Sequence, residues 1–338
     1  MMKKKKLWKL ALVMAAVLVM TACGSTGGST DVADNGSDAN EANTEENSFT
    51  IGFANTSQDT PFFAMMTPII EEYGKGKGIE VISVNADNDV VKQNQDIQDL
   101  VIRGVDLLIV NPVNEDGISA GIQACTDAGI PVVTIDKSVR DGNTVWVGRD
   151  NQTMGRLVGE RLIELLGGED ATGVVLEIQG SAGSTTMMAR RDGFHEALEN
   201  APGLQIVSSS YSDFDRSKAI PATQDLLQAH QNVVAIFGHN DDMALGAAQV
   251  VQEQGLENVL VTGVDGLMEA VLRIQDGGYA VTASNDPVLL SHMAVDVAIK
   301  ILNGETVDDF VDAGTVIIDE ENIEKYADPA LDFASMVE

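Results

Sequence analysis

The chain has 338 residues, 44% of them hydrophobic, with 32 glycines and 8 prolines. This composition excludes a disordered or fibrous protein and leaves room for two domains of ordinary size. The 52 acidic and 21 basic residues give a formal net charge of −31, which argues against binding to nucleic acid phosphates. Two cysteines and four histidines show no metal-ligand spacing, so no metal site and no cofactor are expected.

The first 22 residues have the pattern of a secretory signal peptide. A lysine-rich start is followed by an unbroken apolar run over 10–20, and small residues precede Cys23. The apolar run is too short to span a bilayer permanently. Removal of this segment takes away five lysines and leaves 16 basic against 52 acidic residues, a net charge of about −36.

The junction at Cys23 resembles the lipobox of bacterial lipoproteins. The motif reads Thr-Ala-Cys-Gly over 21–24, with Met20 where such motifs usually have Leu. The resemblance implies that Cys23 is diacylated and becomes the new N-terminus, while plain secretion with a free Cys23 is the alternative. The rest of the segment 23–47 is mostly small and polar, so it is predicted to be a flexible acidic linker with a reach of roughly 25–30 Å.

From residue 48 onward, short apolar runs alternate with amphipathic stretches. The first group predicts strands over 49–53, 80–84, 105–110 and 130–135, and helices over 62–73, 91–103 and 118–128. The second group predicts strands over 173–178, 205–210, 233–237, 259–264 and 280–284, and helices over 155–166, 187–198, 219–229, 242–254 and 269–276. Such alternation predicts two α/β domains, each with a parallel sheet covered on both faces. A last helix over 289–302 lacks strands of its own and is expected to return to the first domain.

Polar and aromatic side chains follow the predicted strands. In open α/β sheets the ligand lies beyond the carboxyl ends of the strands. The residues at these ends lie at 55–63, 136–137, 179–188, 213–214, 240–241, 265 and 285. Amides and carboxylates bond hydroxyl groups, and aromatic faces cover the apolar side of a sugar ring. This mixture suits a neutral polyol better than a phosphate or a metal ion.

Six strings occur in the order found in the ribose-binding branch of the periplasmic sugar-binding proteins. They are TPFF at 60–63, RGVDLLIVNP at 103–112, IPVVTID at 130–136, DFDR at 213–216, NDDMALGA at 240–247 and GVDG at 263–266. The chain resembles this family from about residue 49 to 326. The resemblance implies two Rossmann-like domains joined by three hinge crossovers, the type I periplasmic binding protein fold. The implied limits are 48–150 plus 286–311 for the N-terminal domain and 151–285 plus 312–338 for the C-terminal domain.

The resemblance also implies a set of ligand contacts. Phe62 and Phe63 match the aromatic pair that packs on the sugar ring, and Phe214 matches its counterpart from the other domain. The matching polar positions are Thr56, Thr60, Asp136, Lys137, Asn240, Asp265 and Asn285. Without the resemblance, the Asp and Asn residues would be interpreted as turn or helix-cap residues.

Several of these positions depart from the ribose binders. Thr56 and Thr60 stand where those proteins have Ser and Asn, and Asn285 stands where they have Gln. Lys137 replaces an Arg, and Met188 falls where a second ligand-binding Arg stands. Arg190 matches a different family Arg that does not contact the sugar. With fewer donors, the site is expected to prefer a neutral ligand with an apolar or missing group facing Met188, such as a deoxy or branched sugar or a short polyol.

Taken together, these features predict an extracytoplasmic lipoprotein of an ABC importer, held at the membrane through Cys23. It would be a monomer without enzymatic activity that binds a monosaccharide or related polyol and delivers it to the membrane permease and its ATPase. A sensor lipoprotein that presents the ligand to a membrane kinase or chemoreceptor is the alternative. A repressor of the lactose type needs an N-terminal helix-turn-helix, and the sequence has a signal and a linker there. The motifs G-x-S-x-G and the P-loop are absent, which disfavours a sugar hydrolase.

Overall fold

The computed structural model describes residues 49–139, 142 and 144–337, so the signal peptide, Cys23 and the linker lie outside the described residues. The strands are β1 (Thr50–Asn55), β2 (Glu80–Asn85), β3 (Leu107–Val110), β4 (Val132–Ile135), β5 (Thr144–Gly148), β6 (Gly173–Ile178), β7 (Leu204–Ser208), β8 (Val233–Gly238), β9 (Leu260–Asp265), β10 (Val281–Ser284), β11 (Phe310–Asp312) and β12 (Ile317–Ile318). The helices are α1 (Pro61–Gly76), α2 (Val90–Arg103), α3 (Ser119–Ala128), α4 (Asn151–Leu165), α5 (Thr185–Leu198), α6 (Arg216–Ala229), α7 (Asp241–Glu253), α8 (Met268–Gln275), α9 (Pro287–Leu302) and α10 (Ile323–Tyr326).

The strands form two six-stranded sheets, and each sheet with its helices is called a lobe below. The first sheet has the order β11-β5-β4-β3-β1-β2, and the second has the order β12-β10-β9-β8-β6-β7. All pairs are parallel except β10 with β12, which is antiparallel. The predicted fold class, two α/β domains with mostly parallel sheets, is confirmed.

The helix α2 shows how the sequence sets these elements. Its side chains Ile97 and Leu100 are fully buried, while Ile102 is 81% exposed, so one face packs on the sheet. Asp89 caps its N-terminus by accepting hydrogen bonds from two backbone amides of the first turn. The helix ends at Gly104, whose φ of 77° is a left-handed conformation that glycine adopts without strain.

The helix α9 packs on α1 and on the strands β3, β4 and β5 of the first lobe, where the sequence analysis placed it. It begins with Pro287 after Asp286, whose side chain caps the first turn. The chain thus passes between the sheets after β5, after β10 and between β11 and β12. These passages support the domain limits inferred from the resemblance, which stay a prediction.

The strands β5, β11 and β12 are not among the predicted elements. β11 has three residues and β12 has two, too few to show a hydrophobic period. Over the described residues, none of the helices has the length and apolar character that crossing a membrane requires.

Candidate functional site

A cavity of about 700 Å³ lies between the two lobes, at the carboxyl ends of their strands. Its volume falls in the range of small-molecule binding sites. Nine of the eleven residues predicted to contact the ligand line it: Thr60, Phe62, Phe63, Asp136, Lys137, Phe214, Asn240, Asp265 and Asn285. The structure therefore brings together residues that are up to 225 positions apart in the sequence.

Thr56 and Met188 do not line this cavity. Thr56 is buried at the end of β1, where its amide donates to the side chain of Asn55. Met188 lies in the second turn of α5 and is half-buried. The predicted ligand preference that was argued from Met188 therefore has no support from the cavity wall. Arg190, two residues further along the helix, does line the wall.

Asp136 supplies a buried acceptor whose carboxylate bonds no protein group within the described part of the chain. Only 9% of the residue is exposed, and it lines the cavity. Its backbone is fixed on both sides, because its amide donates to the carbonyl of Val147 and its carbonyl accepts from the indole of Trp146 at 3.1 Å. Burial raises the pKa of Asp136, against the opposing charges of Lys137 and Arg190. A hydroxyl group of a ligand would satisfy this carboxylate.

Asp265 is the second buried acid of the wall, and Arg190 holds it in place. Nη2 of Arg190 lies 3.1 Å from Oδ1 of Asp265, while Nη1 donates to the carbonyl of His239 at 2.7 Å and Nε to Oδ1 of Asn151 at 2.9 Å. Burial raises the pKa of Asp265, and the nearby guanidinium opposes that effect. Each nitrogen of Arg190 thus bonds a protein group, in keeping with the expectation that this Arg does not contact the sugar.

Asn285 is positioned by Arg149, which the sequence analysis did not single out. Nη1 of Arg149 donates to Oδ1 of Asn285 at 2.8 Å, and Nδ2 of Asn285 donates to Asp265 at 3.2 Å. Arg149 also donates to the carbonyls of Gly314 at 2.6 Å and Asp286 at 3.1 Å, so it links all three passages between the lobes. Burial lowers the pKa of Arg149 to about 10. Its partners are distant in the sequence, so no local pattern pointed to this role.

Aromatic rings form the apolar part of the wall. Phe62 meets the ring of Phe63 edge-on at 5.7 Å between centroids, and it meets Phe333 in the same way at 6.0 Å. Phe214 faces them from the second lobe with a φ of 58°, a strained angle for a non-glycine residue. Phe333 lines the cavity as well, and the sequence analysis missed it because it lies near the C-terminus, far from any predicted strand end.

Lys137 is a cationic donor that the first lobe presents to the cavity. Its ammonium donates to the carbonyl of Pro112 at 3.1 Å and lies 4.8 Å from the centroid of Phe63. Burial lowers its pKa, while Asp136 and Glu115 act in the opposite direction. An ammonium has three protons, so Lys137 keeps donors for a ligand.

Asn240 and Thr60 both stand at helix starts. Oδ1 of Asn240 accepts from the amide of Met243 at 3.0 Å, so this residue caps α7 and lines the cavity at the same time. Thr60 occupies the N-cap position of α1 but its side chain makes no capping bond, which leaves its hydroxyl to the cavity.

The comparison with known families agrees with this geometry. A family model described as "Periplasmic binding protein domain" matches residues 51–306. The chain belongs to this family. The ribose import binding protein of Bacillus subtilis is 35% identical over 276 residues, which cover 81% of this chain and 88% of that protein.

Solved structures of this family resemble the chain over most of its length. An ABC transporter solute-binding protein from Mycobacterium smegmatis with bound glycerol is 43% identical, with a TM-score of 0.81 over 85% of this chain and 99% of that one. A periplasmic solute-binding protein from Actinobacillus succinogenes with bound D-allose is 26% identical, with a TM-score of 0.78 over 82% of this chain and 100% of that one. These relatives bind solutes and are not enzymes. The chain is a sugar-binding periplasmic protein of the ABC transporter type. Membership of this family implies a location outside the cytoplasm.

Proposed function

We propose that this periplasmic binding protein captures a neutral monosaccharide or related polyol between its lobes and delivers it to the membrane permease and ATPase of an ABC importer. One observation carries the proposal: the carboxylate of Asp136, nine-tenths buried, faces the cavity without a hydrogen-bond partner in the described chain. A buried acceptor of this kind needs a donor, and a ligand hydroxyl supplies one. The relatives that were solved with glycerol and D-allose hold ligands of this chemistry.

The charges of the wall support a neutral ligand. Glu115, Asp136, Asp213 and Asp265 all line the cavity. Arg190 is engaged with Asp265 and Lys218 with Asp213, so Lys137 is left to offset Asp136 and Glu115. An anionic sugar would meet like charges in a partly buried site, which costs free energy. The two buried acids instead accept hydrogen bonds from the hydroxyls of a neutral polyol, and the amide nitrogen of Asn240 donates to one of its oxygens.

The test of ligand binding is calorimetry of the purified protein with a panel of sugars and polyols. The Asp136→Asn variant keeps the side-chain size but loses one acceptor, so we expect affinity to fall roughly 5- to 150-fold, the equivalent of about 1–3 kcal/mol. Asp276→Asn, an exposed acid at the end of α8, is the matched control and should bind as wild type. Absence of binding to every neutral member of the panel would contradict the proposed function.

We also propose that a lipid on Cys23 anchors the protein to the membrane. The signal-like segment before Cys23 and the acidic linker after it support this proposal, because together they would hold a folded domain near a bilayer. Cys23→Ala should move the protein from the membrane fraction to the soluble fraction, and mass spectrometry of the wild type should show a diacylated N-terminal cysteine. A wild-type protein found without lipid, in the soluble fraction, would mean plain secretion.

A further inference from the structure

The segment 331–337 is held against the second lobe by backbone hydrogen bonds. The amide of Met268 donates to the carbonyl of Asp332 at 2.8 Å, and the amide of Ala334 donates to the carbonyl of Gly266 at 2.8 Å. Phe333 forms an isolated antiparallel bridge with Leu267 between these two bonds. The segment is thus fixed against the loop that follows Asp265.

The same segment also reaches the first lobe. The ring of Phe333 meets the ring of Phe62 edge-on, with centroids 6.0 Å apart and planes at 80°. The amide of Met336 donates to the carboxylate of Asp286 at 2.8 Å, and Asp286 caps the helix α9, which packs in the first lobe. These contacts hold Phe333 in one position relative to both lobes.

Phe333, Leu267 and Phe62 together form an apolar corner of the cavity, and Leu267 lies two residues after Asp265, which lines the same cavity. All three side chains line the cavity and each is less than 10% exposed. A ligand hydroxyl pointed into this corner would lose its water without gaining a partner there, whereas a methyl group or a deoxy carbon would be buried favourably. The family match ends at residue 306, so it gives no role to Phe333.

We propose that Phe333 contacts the ligand and sets its class: a deoxy sugar, with a methyl or deoxy carbon in the apolar corner beside the hydroxyl that Asp265 binds. This inference rests on the proposed function and narrows it. The expected preference for an apolar ligand group is therefore attributed to the apolar corner that contains Phe333. It is no longer attributed to Met188, which does not line the cavity.

The experiment compares pairs of sugars that differ by one hydroxyl, by calorimetry on the full-length mature protein. Suitable pairs are D-galactose with 6-deoxy-D-galactose, D-ribose with 5-deoxy-D-ribose and D-ribose with 2-deoxy-D-ribose. In at least one pair the deoxy member should bind the wild type about ten- to a hundredfold more tightly, because an unpaired buried hydroxyl is penalised to that extent. Tighter binding of the hydroxylated member in every pair that binds would overturn the inference while leaving the proposed function intact.

Variants assign the preference to Phe333. Phe333→Ala should reduce the deoxy preference to less than threefold, and Phe333→Leu, which keeps an apolar side chain and the packing of the segment, should retain most of it. Leu331→Ala, an exposed position of the same segment, is the matched control and should leave the preference unchanged. A folded Phe333→Ala protein with the wild-type preference would overturn the role of Phe333. If that variant does not fold, Phe333→Tyr, which adds a hydroxyl to the apolar corner, should lower the deoxy preference, and a folded Phe333→Tyr protein with the wild-type preference would overturn the role of Phe333. Failure of all panel sugars to bind the wild type would instead contradict the proposed function.

Discussion

Five non-glycine residues of the cavity wall have backbone angles that such residues seldom adopt. The φ angles of Asn88, Asp136, Asp213, Phe214 and Asp265 are 61°, 66°, 53°, 58° and 132°. Each conformation costs on the order of 1–3 kcal/mol and persists only where surrounding bonds fix it, as the two backbone hydrogen bonds of Asp136 do. These strained backbone conformations all lie in the wall of one cavity. Their clustering supports a role in ligand binding rather than in packing of the core.

A buried acid behind the cavity predicts a pH dependence. Asp241 is fully buried and accepts from the hydroxyls of Tyr279 at 2.7 Å and Thr282 at 2.8 Å and from the amide of Leu267 at 2.8 Å. Burial, and then the nearby charge of Asp265, raise its pKa to about 7. Because the folded state holds this proton more tightly than the unfolded state does, the associated stability is present below pH 4 and is lost as the pH rises to about 7.

The measurement is urea unfolding between pH 4 and pH 8 for the wild type and Asp241→Asn. The difference in unfolding free energy between the two proteins should be largest near pH 4 and should shrink as the pH approaches 7. The comparison cancels the opposite contribution of His239, whose pKa is lowered by burial in both proteins. A constant difference over this range would show that Asp241 does not titrate in it.

At the scale of elements, the loop after β6 sets the position of Phe214. A Cβ placed on Gly180 would lie 2.4 Å from the ring of Phe214, so only glycine leaves room for the ring where it stands. In Gly180→Ala the ring must move, and we expect ligand affinity to fall about tenfold with little loss of stability, because the side chain can rotate away. Gly76→Ala, where a new Cβ meets nothing within 4 Å, is the control. Calorimetry and thermal unfolding of both variants check the prediction. Unchanged ligand affinity in Gly180→Ala would show that Phe214 does not contact the ligand.

Most of the fold could be predicted from the alternation of apolar and amphipathic stretches, because that pattern is local. The strand β11 was not predicted because its three residues pair with β5, more than 160 positions earlier in the chain. The roles of Arg149 and Phe333 in the site were not predicted for a related reason. Their partners Asn285 and Phe62 are distant in the sequence, and no local pattern indicates such contacts. Met188 was predicted to contact the ligand from its match to a family Arg alone, and it does not line the cavity, whereas Arg190 does.

At the scale of the whole molecule, a side-chain hydrogen bond joins the two lobes at the cavity. The hydroxyl of Thr185, at the start of α5, bonds the carboxylate of Glu115, which follows β3 in the first lobe. Both residues line the cavity. Arg149 joins the three passages between the lobes by hydrogen bonds, so we expect bending to occur in these short segments. This arrangement suggests hinge closure, with the contact between Thr185 and Glu115 belonging to the closed state.

Closure predicts a smaller radius of gyration in the presence of ligand, measured by small-angle scattering. Thr185→Val keeps the shape of the side chain but removes its hydroxyl, so the closed state loses one hydrogen bond to a charged group and the affinity should fall roughly three- to tenfold. The same variant should need a higher ligand concentration for compaction, since ligand must supply the missing free energy. Thr126→Val, in α3 and bonded only to its own helix, is the control.

Trp146, which donates to the backbone of Asp136 and stacks on Phe310 at 4.3 Å, gives a fluorescence readout of the same titration. An unchanged radius at saturating ligand would show that the lobes bind without closing, and a Thr185→Val protein with wild-type affinity would show that this contact does not hold them together.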